Sequence, residues 1–356
     1  MKTSRIALAL STILFAGISQ AAPVQVSSFG NVPNDRTVNG FHGSFLYSDT
    51  GTVNGFDLPI LGYSELDHLN GLQIGAAAGS HIRNGMNGAA IGLFNWHAGQ
   101  DNGLNIGLAN QVGDLNGANI GLYSRTENVT GFNLGLANMT RDVDGFNLAG
   151  IANYSQGNIR GLNISPFNWT EGKTTGANIS VANHTRDVTG LNVGAVANWS
   201  EGDITGLNIA AVNKSQNVVG ANIAAFNWSE DMTGLNIAAI NRTHNVTGAN
   251  IGAVNVMGNV AGFNLGGFNF TGDVTGLNLG GINVAKNVDG LNLGGINFSQ
   301  SSTADIGAIN YADRTTFQFG LINTTKDLEG LQIGLINVAT NAAIPVLPLV
   351  NFHRSF

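Results

Sequence analysis

His42, His68, His81, His97, His184, His244 and His353 are the side chains best suited to hold a metal or move a proton. None is paired as His-x-x-x-His, so their spacing indicates no metal site, and no cofactor is expected. His184 and His244 fall in turn-like stretches, where a solvated polar role is expected. Asp114, Asp203, Asp273 and Asp289 also occur singly in turns. They lack the nine-residue period of calcium-binding β-rolls. The chain has no Cys, which removes thiolate ligands, disulfides and Cys nucleophiles together. Recurring Gly-x-Asn-x-Gly strings lack the Lys and following helix of a phosphate loop. No Ser/His/Asp set stands out, so no catalytic residue and no enzymatic activity are expected.

Two further patterns could carry surface chemistry. Asn-x-Ser/Thr recurs at Asn138, Asn153, Asn168, Asn183, Asn198, Asn213, Asn227, Asn241, Asn269, Asn297 and Asn323. Regular spacing favours local side-chain bonds at strand ends over glycan attachment. In successive copies the residue after this Asn is Trp169, His184, Trp199, Lys214, Trp228 and Arg242. Stacked copies would set aromatic beside cation, a favourable contact of up to about 1 kcal/mol when exposed. These six residues are the candidate surface ladder. Glu171, Arg186, Glu201, Lys214, Glu230 and Arg242 alternate in charge through the adjoining turns.

The element that must position them is a repeat. Gly stands at 103, 117, 131, 145, 161, 176, 190, 206, 220, 234, 248, 262, 276 and 290, and Asn follows two residues after each. Weaker copies start at Gly40, Gly55, Gly71 and Gly88, and others run from Thr303, Thr316, Gly330 and Ile344, about 22 copies in all. A fixed short period signals a repeat architecture forming one quasi-linear domain. Each copy reads as a strand and a turn: Leu277 and Leu279 share one face, and Asn278 takes the other. No segment holds a helical period, so the fold class is all-β.

Two all-β solutions fit one strand per 14 residues. A β-solenoid stacks copies as parallel rungs, aligning the Asn column at about 4.8 Å so that its amides can bond along the stack. An outer-membrane barrel of 22 antiparallel strands is the alternative, supported by the even number and by the terminal Phe356. The apolar run Leu207, Ile209, Ala211 covers only about half of the ~25 Å belt a barrel needs. The solenoid is therefore favoured.

Composition is skewed, and not in the manner of a disordered chain. Gly makes up 50 of 356 residues and charged residues only 10 %. The net charge of -7 argues against nucleic acid and anionic lipid as partners. Residues 1–21 read as a Sec-type signal peptide: basic Lys2 and Arg5, apolar Ile6 to Ile18, then Ser19-Gln20-Ala21. Residues 22–39 form a leader and 40–356 a single repeat domain, regular over 103–302 and degenerate or capping over 40–102 and 303–356. Pro59, Pro345 and Pro348 suit end caps, because proline removes a ladder donor.

The copies resemble exported Gram-negative surface-repeat proteins whose units read Gly-Leu-Gln-Ile-Gly-Leu-Ile-Asn. Gly330 to Asn337 matches that unit throughout, Gly71 to Gly75 matches its first half, and Ile344 to Phe352 is similar to the Pro-rich closing segment. Most central copies carry Asn where that family often has Gln. The resemblance implies an outer-membrane or cell-surface location. The expected function is a structural or adhesive scaffold that displays ladders of Asn, Thr and aromatic side chains to an envelope partner. A pore or transporter is the alternative that a barrel would bring.

Overall fold

A computed structural model describes residues 21–75, 77 and 79–353. The expected signal peptide, except its last residue, and the terminal Phe356 lie outside the described residues. Those residues are all-β and contain no helix.

Pairing register identifies the architecture. Strand Ile204–Ile209 lies parallel between Val188 to Val193 on one side and Val218 to Ile223 on the other. Like meets like: Gly206 faces Gly190 and Gly220, and Asn208 faces Asn192 and Asn222. Strand Val212–Lys214 is likewise flanked by Ala197 to Trp199 and Phe226 to Trp228. Each copy is thus one complete coil with two strand stretches, and the next coil stacks on it in register. The fold is a β-solenoid. An up-and-down barrel requires antiparallel neighbours, whereas pairing here is parallel except at the two ends. The barrel alternative does not hold, and the structural ground for a pore goes with it.

Close coil contact explains the invariant glycine. At Gly206, φ is +130°, a conformation that side chains with a Cβ rarely adopt. A Cβ there would also sit 2.1 Å from the carbonyl oxygen of Gly190. The residue is fixed twice over, by its own backbone and by the coil before it.

The chain divides into two compact units, one ending at Gly150 and one beginning at Ile151. In the first, strand Ala22–Ser27 pairs parallel with Thr37–Ser44, and Asn31–Val32 folds back on it. In the second, strand Val346–Phe352 does not continue the parallel stack as a last copy. It turns back antiparallel against Leu331 to Val338 and covers the edge of the last coil. Pro345 and Pro348 flank and interrupt it, so its own outer edge has fewer donors to offer another strand.

The interior is unusual in its chemistry. Period-2 alternation places the residue two before each Gly and the Asn two after it on the same inward phase. Val188, Ile204, Val218, Met232, Val246, Val260, Val274 and Val288 form a buried apolar column in the second unit. Beside them Asn192, Asn208, Asn222 and Asn236 are completely buried, as are Asn213 and Asn241 of the second Asn column. The Leu, Ile, Val and Phe residues between these positions face outward. Sequence reading expected the Asn ladders at the surface; they line the inside. The reason is satisfaction of polar groups. A buried amide is costly alone, and most of these amides donate to the adjoining coil, as Asn208 and Asn236 do, with Asn222 Nδ2 an exception.

Candidate functional surface

Two internal amide ladders hold the coils together. In the first, Asn250 donates to Asn264 at 2.9 Å, Asn264 to Asn278 at 2.9 Å and Asn278 to Asn292 at 3.2 Å. The second runs without a break from Asn153 to Asn337 in the second unit; Asn255 to Asn269 and Asn269 to Asn283 are both 2.8 Å. Each amide of this second ladder has another duty. Asn227 Nδ2 also donates to the Ile237 carbonyl at 3.1 Å, and Asn241 Nδ2 to that of Ile251 at 2.9 Å. Those carbonyls sit at the corner where the coil turns, so the turn is satisfied from within. Every Asn of the Asn-x-Ser/Thr triplets is buried, which agrees with a structural role for them.

Direction matters in the first ladder. From Asn236 onward each Asn donates toward higher residue numbers, ending with Asn292, which donates to Asp305 Oδ1 at 3.0 Å. Beyond it the direction reverses: Gln332 donates to Gln318 and Gln318 to Asp305 Oδ2. Two converging donor runs need an acceptor-only group between them, and a carboxylate is one. Asp57 does the same in the first unit, between His42 at 2.5 Å and Gln73 at 2.6 Å. Burial pushes the Asp305 carboxyl above its usual range, against the bonds from Ser302, Asn292 and Gln318. A raised folded-state pKa gives stability that is full at low pH and lost as pH rises through that pKa. Asp305→Asn is therefore expected to gain on the wild type as pH is raised through carboxylate titration, read by urea unfolding at several pH values. A stability difference independent of pH would contradict this assignment.

Outside, the six predicted ladder residues are brought together. The rings of Trp169 and His184 lie 4.5 Å apart by centroid, and those of His184 and Trp199 lie 6.1 Å apart. Lys214 Nζ sits 4.2 Å from the Trp199 ring and 5.8 Å from that of Trp228, and Arg242 lies 4.8 Å from Trp228 on the following coil. Tyr154 extends the column below Trp169 and was missed in sequence, although it too follows an Asn of the second column. The first unit carries a similar column of Tyr63, His81 and Trp96, which the irregular spacing of its coils hides. Successive rings are tilted by 34° and 40° rather than coplanar, so no single flat aromatic platform is formed. Beside the column, shallow dents are lined by Trp169, Glu171, His184, Arg186 and Glu201, and by Trp228, Glu230, Arg242 and His244. The expected acid–base contacts between these turns are not what forms: Glu201 lies 3.3 Å from His184, and Arg186 lies 3.9 Å from Asp187 of its own coil.

One constellation was invisible in sequence because its members sit on adjoining coils. Ser80 Oγ lies 3.1 Å from His97 Nε2, and His97 Nδ1 lies 2.5 Å from Asp101. All three are buried in the coil interior, and Ser80 also contacts Asn95. Asp101 in turn accepts from Asn105 at 2.8 Å. The group belongs to the interior bonding of the first unit. Among the described residues no cluster of three or more His, Asp or Glu has the arrangement of a metal site.

The outer surface between the two Asn columns is apolar. Phe167, Val196, Phe226, Phe268, Phe319 and Leu335 are each about half exposed. No protein-family model, curated protein or solved structure matches the chain.

Proposed function

We propose that this chain is an exported scaffold of the cell envelope or surface, with a structural or adhesive role and no catalysis. The observation that carries this reading is the exposed aromatic–cation column of Trp169, His184, Trp199, Lys214, Trp228 and Arg242. Side chains repeated once per coil on a fixed backbone make a display surface. Their half-exposed rings and the charged residues beside them offer many weak, regularly spaced contacts, which is the chemistry of multivalent attachment. The basic and apolar start of the sequence and the resemblance to surface-repeat proteins support export.

Deletion of the gene in its native cell, with complementation by wild type or by Trp169→Ala/Trp199→Ala/Trp228→Ala, tests the reading. Loss of attachment or envelope integrity, restored by the wild type and only weakly by the variant, is the expected result. A wild-type chain that stays inside the cell, or a deletion with no change in either property, would overturn it.

A further inference from the structure

The outer surface of the second unit segregates its chemistry by position within the coil. The outward residues from one after the repeat Gly to six after it are Leu, Ile, Val, Phe, Ala, Gly, Ser or Pro in every coil from Gly161 to Ile336. No charged side chain faces outward there. Charged residues such as Lys173, Arg186, Asp187, Glu201, Asp231 and Lys286 lie instead on the stretch between the second Asn of each coil and the next repeat Gly. Half-exposed side chains along this stretch leave on the order of 1,000 Å² of apolar surface open, against the few hundred Å² that soluble monomers usually show.

We infer that this apolar edge lies in the interfacial region of a lipid bilayer, with the coil axis in the membrane plane. Three observations favour lipid over a protein partner. First, the aromatic–cation column stands where the apolar edge meets the polar one. Trp, Lys and Arg at such a boundary match the headgroup level of a bilayer, where indole and ammonium groups have both an apolar and a wet neighbour. Second, the corner backbone is already satisfied. Val181 and Ala182 both donate to the Pro166 carbonyl, Ala225 and Phe226 to that of Ala211, and the Ile237 carbonyl accepts from the interior Asn227. These corner groups therefore need no water as a partner, which is the condition hydrocarbon imposes. Third, the depth fits. The column and the corner are about three residues apart, roughly 10 Å along a strand. That equals the 5–10 Å reached by interfacial elements and falls far short of the ~30 Å of a span. The edge carries no charge, so the lipid it fits is zwitterionic.

This inference rests on the envelope reading for its biological setting, but its test does not. The purified chain is mixed with phosphatidylcholine vesicles and followed by flotation and by tryptophan emission. Trp169, Trp199 and Trp228 stand in the second unit's column and report the boundary, and the fourth tryptophan, Trp96 of the first unit, is replaced as Trp96→Phe in every sample. Binding that persists in 1 M salt, a blue-shifted emission, and stronger quenching by shallow than by deep brominated lipids are expected. Val212→Glu/Phe226→Glu/Ile240→Glu, with the same N-terminus, is expected to bind on the order of tenfold more weakly or worse. Circular dichroism checks that this variant keeps its strands; the quenching depth of the wild type stands even where the variant does not fold. A chain that ignores vesicles, binds equally well as the variant, or sediments as a dimer with the edge hidden would overturn the inference. Failure here would leave the cellular attachment test of the scaffold untouched.

Discussion

Gly220→Ala is expected to destabilise the second unit by about 3–5 kcal/mol. Two effects add. The residue holds φ at +133°, and a new Cβ would lie 2.1 Å from the Gly206 carbonyl oxygen. That oxygen belongs to the backbone of the coil before and cannot swing aside without opening the ladder. In a stacked array each coil touches only its neighbours, so the damage divides the array at this point. Gly267→Ala is the matched control. Gly267 has no positive φ, and its added Cβ would meet the Ala253 carbonyl with its oxygen at 3.0 Å and its carbon at 3.9 Å, a contact relieved by a shift of a few tenths of an ångström. Its expected cost is below about 1 kcal/mol. Urea unfolding of the two variants measures both. Equal midpoints would contradict the close stacking on which the fold depends.

Asn227→Asp is expected to cost a similar amount, by a different route. Asn227 Nδ2 points at four oxygens: the Asn222 carbonyl at 3.0 Å, Asn236 Oδ1 at 2.7 Å, the Ile237 carbonyl at 3.1 Å and Asn241 Oδ1 at 3.2 Å. A carboxylate in that place replaces the donor with charge among acceptors and leaves them unpaired. Losing a buried donor costs about 1–3 kcal/mol, and burying an unpaired charge costs more, together about 3–5 kcal/mol. The new carboxyl has its pKa raised in the folded state by burial and by these oxygens. Protonation restores one donor, so the destabilisation should shrink as pH falls. Unfolding of variant and wild type at several pH values checks this. A variant as stable as wild type at neutral pH would show that the amide is not enclosed as described.

How much of this was readable in advance follows from which residues repeat strictly. The Gly and Asn columns are nearly invariant in type and spacing, which favoured the stacked register over a barrel; the alternation from Trp169 to Arg242 fitted either fold and became a column only once the copies were stacked. Which face pointed inward could not. Leu207 and Ile209 alternate with Asn208, and alternation states only that they differ. Ordinary hydropathy would bury the Leu and expose the Asn. Here the coil is too narrow to enclose large side chains on both strands: at Gly194 a Cβ would already stand 2.5 Å from Asn198 Oδ1. Small amides that bond to the next coil fill that space, and the larger side chains turn outward. Asp305 and Asp57 were also illegible, because their role depends on the direction in which neighbouring amides donate. The Ser80, His97 and Asp101 contact joins coils whose spacing departs from 14, and no linear motif records it.

The inside-out arrangement has a direct test, and the lack of cysteine makes it clean. Phe226→Cys and Ser229→Cys place single thiols three residues apart, the first at an exposed outward position and the second at a buried inward one, where Ser229 contacts Thr243 at 3.1 Å. Maleimide labelling of each variant in vesicle-free buffer is compared with its rate in denaturant. Labelling at Phe226→Cys near the denatured rate, with Ser229→Cys strongly protected, is the predicted result. A protected thiol at 226 beside a reactive one at 229 would mean that the apolar residues form the core after all.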